Sequence, residues 1–167
     1  KGDSLSAAIE SNAADQLSSS DQTLPTTYAN PYLEAAYNAE PTVFTLENEK
    51  VAITFTSRGA QPSQVMIKDY MTADSSELYL MKEGMSEMSF QLYSNQYVST
   101  ENFTYSLVGQ SDSSLVFRLA FSDNSYIEHQ YKLSPESYML DFNINMVGMD
   151  RVVPRNASQL DMEWVMD

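Results

Sequence analysis

The sequence predicts an all-β protein built as an antiparallel β-sandwich. From Val43 onward the chain is rich in Val, Ile, Tyr, Phe and Thr, which favour strands. In several short segments apolar residues alternate with polar ones, the period of a half-buried strand. Short turn-like segments separate these strands, which indicates antiparallel sheets packed face to face.

Residues 1–42 differ from the rest and are predicted to be an acidic linker, followed by a β-sandwich domain over 43–167. Before Lys50 the only basic residue is Lys1, while Ser, Ala, Asn and acidic residues accumulate. Little apolar surface is available there to offset the entropy lost on ordering. We therefore expect residues 1–27 to be mobile.

A short helix is predicted at 31–38. Asn30 is a suitable N-cap, and Pro31 occupies the first helical position. An amphipathic helix of this kind could bind a partner. Local packing of a linker turn is the favoured interpretation, because the segment is too short to be a stable helix by itself.

The first strands follow from alternation. Val51, Ile53 and Phe55 alternate with polar or small residues, and the segment 58–60 (Arg-Gly-Ala) then breaks the pattern. Further strands are predicted around Val65 and Ile67, at 78–81, 88–93 and 103–108, and at the end of the chain, where Leu160, Met162, Trp164 and Met166 alternate.

The segment 114–147 contains three successive strands whose turns must keep one apolar face together. A two-residue turn after the first strand would pair Leu119 with Glu128 and split that face. A three-residue loop at 122–124 pairs Leu119 with Ile127 instead. It also places Asn124 where a left-handed residue is favoured, so we predict a positive φ at this position.

The next loop is predicted to contain four residues, 134–137. Pro135 suits the second position of a type I turn. This loop pairs Leu133 with Tyr138. It also pairs Tyr131 with Leu140, which again preserves the apolar face.

Composition excludes several classes of function. The chain has 9 basic and 23 acidic residues and a formal charge of −14. Such a surface repels nucleic-acid phosphates and anionic lipid headgroups. The absence of cysteine excludes a disulfide framework and a thiolate metal site. No apolar run approaches the ~20 residues of a membrane-spanning helix.

No catalytic, cofactor-binding or metal-binding residues are predicted, and the chain is not expected to be an enzyme. His129 is the only histidine, and its strand position places it between Phe117 and Phe142 as a packed core residue. Asp161 and Glu163 resemble a glycosidase carboxylate pair, but a solvated strand face explains them better.

Other motifs have equally simple interpretations. Met81 and Met88 fall on predicted strands, so the methionine cluster that they form with Met85 is expected to fill core gaps rather than to bind varied apolar partners. Two short glycosylation patterns, at 102–104 and 156–158, are short enough to occur by chance. The charges of Asp150, Arg151 and Arg155 are expected on surface loops.

Three segments taken together resemble the periplasmic domain of YidC-type bacterial membrane protein insertases. They are FTLENEKV at 44–51 with ITF at 53–55 and RGA at 58–60; IKDY at 67–70 with Thr72 and Asp74; and YIEHQYKL at 126–133 with YMLDF at 138–142. The resemblance covers roughly residues 43–167. Where the family usually has two glycines, this chain has Gly59 and Ala60, so the local turn is expected to differ.

The resemblance implies a β-supersandwich similar to galactose mutarotases, preceded by a linker and an N-terminal membrane helix. It implies a periplasmic location, a multi-pass parent protein in the inner membrane of a Gram-negative bacterium, and a chaperone-like contact with nascent membrane proteins and Sec translocon components. The alternative is a carbohydrate-binding or mutarotase-like sandwich. Mutarotase chemistry needs an acid and a base around the sugar, which a single core histidine does not supply.

The resemblance also implies that this sandwich is part of a larger domain, since such domains take roughly 250 residues. We therefore expect Leu160, Met162 and Trp164 to lie beside a sheet edge, or to face a second layer, that later residues would normally complete. Exposed apolar side chains at an unpaired edge favour association with another chain. Self-association through the C-terminal strand is the expected consequence.

Overall fold

The computed structural model describes residues 28–93, 97–154 and 160–166. The predicted mobile linker, residues 1–27, lies outside this part of the chain. The elements are α1 Pro31–Asn38, β1 Val43–Glu47, β2 Val51–Thr56, β3 Gln61–Met71, β4 Glu77–Met81, β5 Ser86–Tyr93, β6 Tyr97–Ser99, β7 Ser106–Ser111, β8 Ser114–Ser122, β9 Ser125–Leu133, β10 Leu140–Val147 and β11 Asp161–Met166, with 3₁₀ turns at Thr100–Asn102 and Met149–Arg151.

The strands form three antiparallel sheets, so the predicted all-β architecture is confirmed. Their strand orders are β1-β2-β3-β4, β10-β9-β8-β7 and β11-β5-β6. The first and second sheets meet at Phe55, whose ring centroid lies 4.7 Å from that of Tyr131 and 6.4 Å from that of Phe117. The third sheet reaches the second through Phe90 and Phe142, 6.3 Å apart. No helix among the described residues is both long and apolar enough to cross a bilayer.

The core is built from the alternating faces that the sequence predicts. Every second residue of β2, beginning at Val51, is buried, and the residues between are half-exposed. The same alternation runs along β8 from Leu115 to Phe121. Burial of a large apolar side chain contributes about 1.5–3 kcal/mol. The two inner faces therefore supply the main driving force for packing the sheets.

The β8–β9 hairpin has the predicted pairing of Leu119 with Ile127, but its tip differs from the prediction. Ser122 pairs with Ser125, and the register shifts next to Ala120. The extra residue is thus a bulge within β8 and not a third loop residue. Asn124 is not among the residues with positive φ, so the prediction of a left-handed Asn124 is wrong. A bulge adds one residue to the strand, so it keeps the apolar side chains of β8 and β9 on the same face, just as an added loop residue would.

The bulge at Phe121 anchors α1. The Asn30 side chain donates from Nδ2 to the carbonyl of Phe121 at 2.9 Å, while its Oδ1 accepts from the backbone N–H of Tyr32 at 2.9 Å. The Tyr32 hydroxyl donates to Asp123 at 2.5 Å. The predicted N-cap residue therefore both starts the helix and attaches it to the hairpin tip.

The described end of the predicted linker contributes to the core. Leu33 of α1 and Tyr28 before it are buried. The ring of Tyr28 lies 4.8 Å from Phe103 and 5.4 Å from Tyr37, between centroids. Aromatic contacts of this kind add to the area that is buried. Helix α1 thus packs against the sandwich.

The β9–β10 loop is longer than predicted. Leu133 pairs with Leu140 rather than with Tyr138. Tyr131 pairs with Phe142 rather than with Leu140. Both predicted pairs are wrong by two residues. A shift of two keeps each side chain on its side of the sheet, so the apolar face is preserved despite the error.

Asn48, in the β1–β2 turn, holds this longer loop. Its Nδ2 group donates to the carbonyls of Ser134 and Ser137, each at 2.8 Å. Its Oδ1 accepts from the backbone N–H groups of Lys50 and Val51 at 2.8 and 2.9 Å. One amide therefore satisfies the backbone of two loops in different sheets, a long-range contact that local turn preferences do not reveal.

Gly148→Ala is expected to lower the free energy of unfolding by about 3 kcal/mol. Gly148 has a φ of +62°, and an added Cβ would collide with the Asn124 carbonyl oxygen. Gly84 has a φ of +82° and open space around it, so Gly84→Ala should cost only the left-handed strain, about 1 kcal/mol. Urea unfolding of both variants measures the difference. Equal losses would contradict a steric role for Gly148.

Candidate functional site

A polar cluster around the carbonyl of Ala60 lies at the centre of the domain. His129 Nδ1 is 3.2 Å from this oxygen, and the Tyr131 hydroxyl donates to it at 2.7 Å. Both residues belong to β9 and are two positions apart, so their side chains share one face. The two bonds join the β2–β3 turn of the first sheet to the middle of the second.

The turn that presents this carbonyl is left-handed at two successive residues. Gly59 has a φ of +70° and Ala60 a φ of +48°. A Cβ at Gly59 would lie 2.8 Å from Gln61 Nε2 and 3.2 Å from the Glu101 Cα, so glycine is needed there. Ala60 has no such freedom and bears a strain of about 1–2 kcal/mol. The bonds to its carbonyl hold it in this conformation.

Arg58 connects the same turn to the helix and to the 3₁₀ turn. Its guanidinium donates to the carbonyls of Tyr37 at 3.3 Å, Asn102 at 2.7 Å and Ala39 at 3.2 Å. A planar guanidinium with five donors suits several convergent carbonyls. Arg58 therefore fixes the segment after α1 beside the turn that carries Ala60.

His129 is enclosed by aromatic rings. Its side chain has 0% exposure, and its ring centroid lies 4.8 Å from Tyr105, 5.2 Å from Phe90 and 5.3 Å from Phe142. It pairs in register with Phe117 on β8, as predicted, but with Ile144 and not Phe142 on β10. The prediction that this histidine is a packed core residue is confirmed.

The environment of His129 keeps its ring neutral. Desolvation on burial lowers its pKa to about 4, against a smaller opposing effect of the bond to Ala60. Its Nε2 has no hydrogen-bond partner among the described residues. Nδ1 is the nitrogen that faces an acceptor, so the neutral ring carries its proton there and serves as a donor.

The other candidate residues do not join this cluster. Asp161 and Glu163 are exposed on β11, as the solvated-face interpretation predicts. Asp150 and Arg151 are also exposed. Position 155 and the motif at 156–158 lie outside the described residues. Within residues 28–93, 97–154 and 160–166, no group of His, Asp or Glu side chains is arranged to hold a metal ion.

Two of the three clustered methionines fill the core. Met81 and Met88 are buried, whereas Met85 is exposed on the turn before β5. The core-filling interpretation therefore holds for the two that lie on strands.

Strand β11 presents apolar side chains at the surface of the third sheet. Met162 pairs with Phe90 and Trp164 with Met88. Paired residues of neighbouring strands point to the same side. The β5 partners are buried, but Met162, Trp164 and Met166 are 55%, 51% and 66% exposed. The side of the sheet that is buried at β5 is therefore exposed to solvent at β11. β11 lies at the edge of the sheet, as the sequence predicts.

Comparison with known proteins gives one consistent result. Membrane protein insertase YidC of Porphyromonas gingivalis is 33% identical over 121 residues, which are 71% of this chain and 19% of that protein. The YidC of Phocaeicola vulgatus is 34% identical over 121 residues, 72% of this chain and 20% of that protein. That of Azobacteroides pseudotrichonymphae is 25% identical over 157 residues, 93% of this chain and 24% of that protein.

The chain belongs to the YidC insertase family. It spans about a fifth of the length of the curated relatives that it matches. No family model matches it, and no solved structure matches it either. The resemblance found in the three sequence segments is therefore confirmed by similarity that extends over 71% to 93% of the chain.

Sequence reasoning missed the Ala60 carbonyl as the partner of His129. The available signal was local. His129 and Tyr131 are aromatic side chains with a polar N–H or O–H group, they lie two residues apart on an apolar strand, and when buried they need a hydrogen-bond acceptor. The acceptor lies 69 residues away for His129 and 71 for Tyr131. The alternation of apolar and polar residues in β2 and β9 does not indicate which backbone carbonyl lies next to these two side chains.

The neutral core histidine predicts a pH dependence of stability. The unfolded chain binds a proton at His129 below about pH 6.5, whereas the folded chain does so only below about pH 4. The contribution of the neutral His129 to the free energy of unfolding is therefore fully present above pH 6.5. It is lost as the pH drops towards 4, by up to about 3 kcal/mol. Chemical unfolding at pH 7 and pH 5 measures this. His129→Gln, neutral throughout, should show a smaller loss over that range, and an equal loss would contradict it.

The bond from Tyr131 to Ala60 is expected to stabilise the fold measurably. Tyr131→Phe should lower the free energy of unfolding by about 1 kcal/mol, since one buried hydrogen bond is lost. Tyr105 is the matched control, because its buried hydroxyl makes no well-formed hydrogen bond with the described residues. Tyr105→Phe should be neutral or slightly stabilising. The idea fails if thermal denaturation shows the same loss for both.

Proposed function

We propose that this chain is a non-catalytic domain of a membrane protein insertase on the periplasmic face of the bacterial inner membrane. There it assists insertion and folding by contacting nascent membrane proteins or Sec translocon components. The observation that carries the proposal is its similarity to YidC insertases over most of its length. An all-β domain that presents apolar surface at its edge suits a role in contact with other polypeptides.

The arrangement of the core supports a non-catalytic role. The only histidine of the chain is enclosed by aromatic rings and donates to a backbone carbonyl. A general base must reach the proton that it removes. Asp161 and Glu163 lie on one exposed strand, where the carboxylates have ordinary solvation.

The apolar face of β11 is the proposed contact surface. Met162 and Met166 flank Trp164 on this face. Methionine is unbranched and polarizable, so it adapts to apolar side chains of different shape. Asp161 and Glu163 lie on the other face of the same strand and keep it hydrated. Such a surface suits partners that share apolar character and have no common sequence.

Placement is tested by labelling the full-length parent with a membrane-impermeant maleimide. Asp112 is exposed in the β7–β8 turn. This chain has no cysteine of its own, and any cysteine elsewhere in the parent is first replaced by serine. Asp112→Cys should be labelled in spheroplasts before lysis. Val98→Cys is buried and should react only after denaturation. Labelling of position 112 only after lysis would contradict a periplasmic location.

The contact surface is tested by photo-crosslinking in the same parent protein. A photoreactive residue at position 162 or 164 should crosslink to newly made inner-membrane proteins or translocon subunits. Positions 161 and 163 are the matched controls, because they lie on the same strand and face the other way. Equal crosslinking from both faces, or none from either, would contradict β11 as the contact surface.

A further inference from the structure

The turn at residues 57–61, which contains Ala60, is connected to all three sheets. It joins β2 to β3 within the first sheet, and its Ala60 carbonyl accepts two hydrogen bonds from β9 of the second sheet. The side chain of Gln61 extends the connection to the third sheet, because its Oε1 accepts from the backbone N–H of Met88 on β5. Both Gln61 and Met88 are buried. The relative position of the three sheets therefore depends on this turn.

Strand β5 is held on the same side by a second buried side chain. The hydroxyl of Thr100, in the 3₁₀ turn, accepts from the backbone N–H of Phe90 at 2.9 Å. Met88 and Phe90 are two positions apart, so their N–H groups point to the same side of β5. These two residues also pair with Trp164 and Met162 of β11. A change at the turn is therefore passed to β11 through β5.

The segment that follows α1 holds the turn from outside the sheets. Arg58 donates to two carbonyls of the segment 36–39. Ser57 and Thr42 are joined by two hydrogen bonds of 2.8 Å, one from each backbone N–H. Thr104 donates its N–H and its hydroxyl to carbonyls of the same segment 36–39, each at 2.9 Å. The turn is therefore held in place by the residues through which α1 leads into β1.

Helix α1 has two physically distinct states. It has eight residues, and a helix of this length is not stable in water by itself. It is held in place by the buried side chain of Leu33 and by hydrogen bonds from Asn30 and Tyr32 to the β8–β9 hairpin. When these contacts open, the helix unfolds with them. The segment 28–42 is therefore either docked and ordered or released and unfolded.

We propose that docking of α1 controls the turn at 57–61 and, through it, the mobility of β5 and β11. In the docked state the segment 36–42 keeps the turn in its left-handed conformation. When α1 is released, Arg58 loses two of its acceptors and the strained backbone of Ala60 can relax. The side chain of Gln61 is then no longer held at β5. A force or a partner that acts on the chain before α1 is thereby transmitted to β11.

The coupling itself does not rest on the proposed function, but its consequence for β11 does. If β11 contacts other polypeptides, release of α1 changes the order of that contact surface. The coupling and the contact are tested by different measurements. Amide exchange in the chain measures the coupling, whereas crosslinking from positions 162 and 164 of the parent protein measures the contact.

Amide hydrogen exchange of the 167-residue chain, followed by NMR, tests the coupling. Asn30→Ala removes the N-cap of α1 and its hydrogen bond to β8 without changing any residue of the turn. The amides of Gly59, Met88 and Phe90 donate to the acceptors that the turn and the 3₁₀ turn provide. In Asn30→Ala these three amides should exchange about fivefold or more faster, because their bonds open whenever α1 is released.

Asn48→Ala is the matched control. Asn48 also joins two segments through its side chain, but it does so between the β1–β2 turn and the β9–β10 loop. After correction for the change in overall stability, measured by urea unfolding, the three amides should exchange as in the unchanged chain. Leu33→Ala, which removes the buried side chain of α1, repeats the test if the Glu34 amide shows that α1 stays docked in Asn30→Ala.

Arg58→Lys tests the route of the coupling. Lysine keeps the charge but lacks the planar group that donates to several carbonyls at once, so the same three amides should exchange faster. Combined with Asn30→Ala, it should add less than the product of the two single effects, because both changes open the same link. Arg118→Lys makes the same substitution at the pair with Glu128 and should leave the three amides unchanged.

Three results would overturn the proposal. The first is that the three amides exchange equally in Asn30→Ala and Asn48→Ala after the stability correction. The second is that α1 is released, as the Glu34 amide reports, while the amides of Gly59 and Met88 keep their exchange rates. The third is that the effects of Asn30→Ala and Arg58→Lys multiply, which would place them on separate routes. Faster exchange confined to the variants of α1 and Arg58 supports it.

Discussion

The carbonyl of Ala60 is the point on which the two main sheets depend. It is presented by a left-handed turn in one sheet and accepts from His129 and Tyr131 of the other. A buried carbonyl without a donor costs about 1–3 kcal/mol. The same pair of bonds offsets the strain at Ala60 and gives His129, which burial keeps neutral, a hydrogen-bond partner in the core. Backbone conformation and sheet packing are thus linked at one atom.

The rest of the domain repeats this principle with side chains that reach distant backbone. Asn30 joins α1 to the β8 bulge, Asn48 joins the β1–β2 turn to the β9–β10 loop, and Arg58 joins the segment after α1 to the 3₁₀ turn. Each places amide or guanidinium donors on carbonyls that strand pairing leaves free. The loops are therefore held by these links as well as by the apolar core.

The contrast between centre and edge bears on function. The only histidine is committed to a structural bond, whereas Trp164 and its neighbours on β11 present apolar surface. Apolar surface at a sheet edge suits contact with other polypeptides. This is consistent with the contact role that we propose for this member of a family of membrane protein insertases.

The sequence by itself determined the fold class, most of the strands, their inward faces and the core position of His129, because side chains alternate with a strict period of two. It did not indicate β6, and it placed β7 three residues too early. Three segments also indicated the family. Only the tertiary structure decided the hairpin details. The bulge at Phe121 keeps the apolar side chains on one face, as an extra loop residue would. The pairing of Leu133 with Leu140 differs from the prediction by two residues, which leaves each side chain on the same face of the sheet. Likewise, no local pattern could select Ala60 as the partner of β9, because that contact joins residues about 70 positions apart.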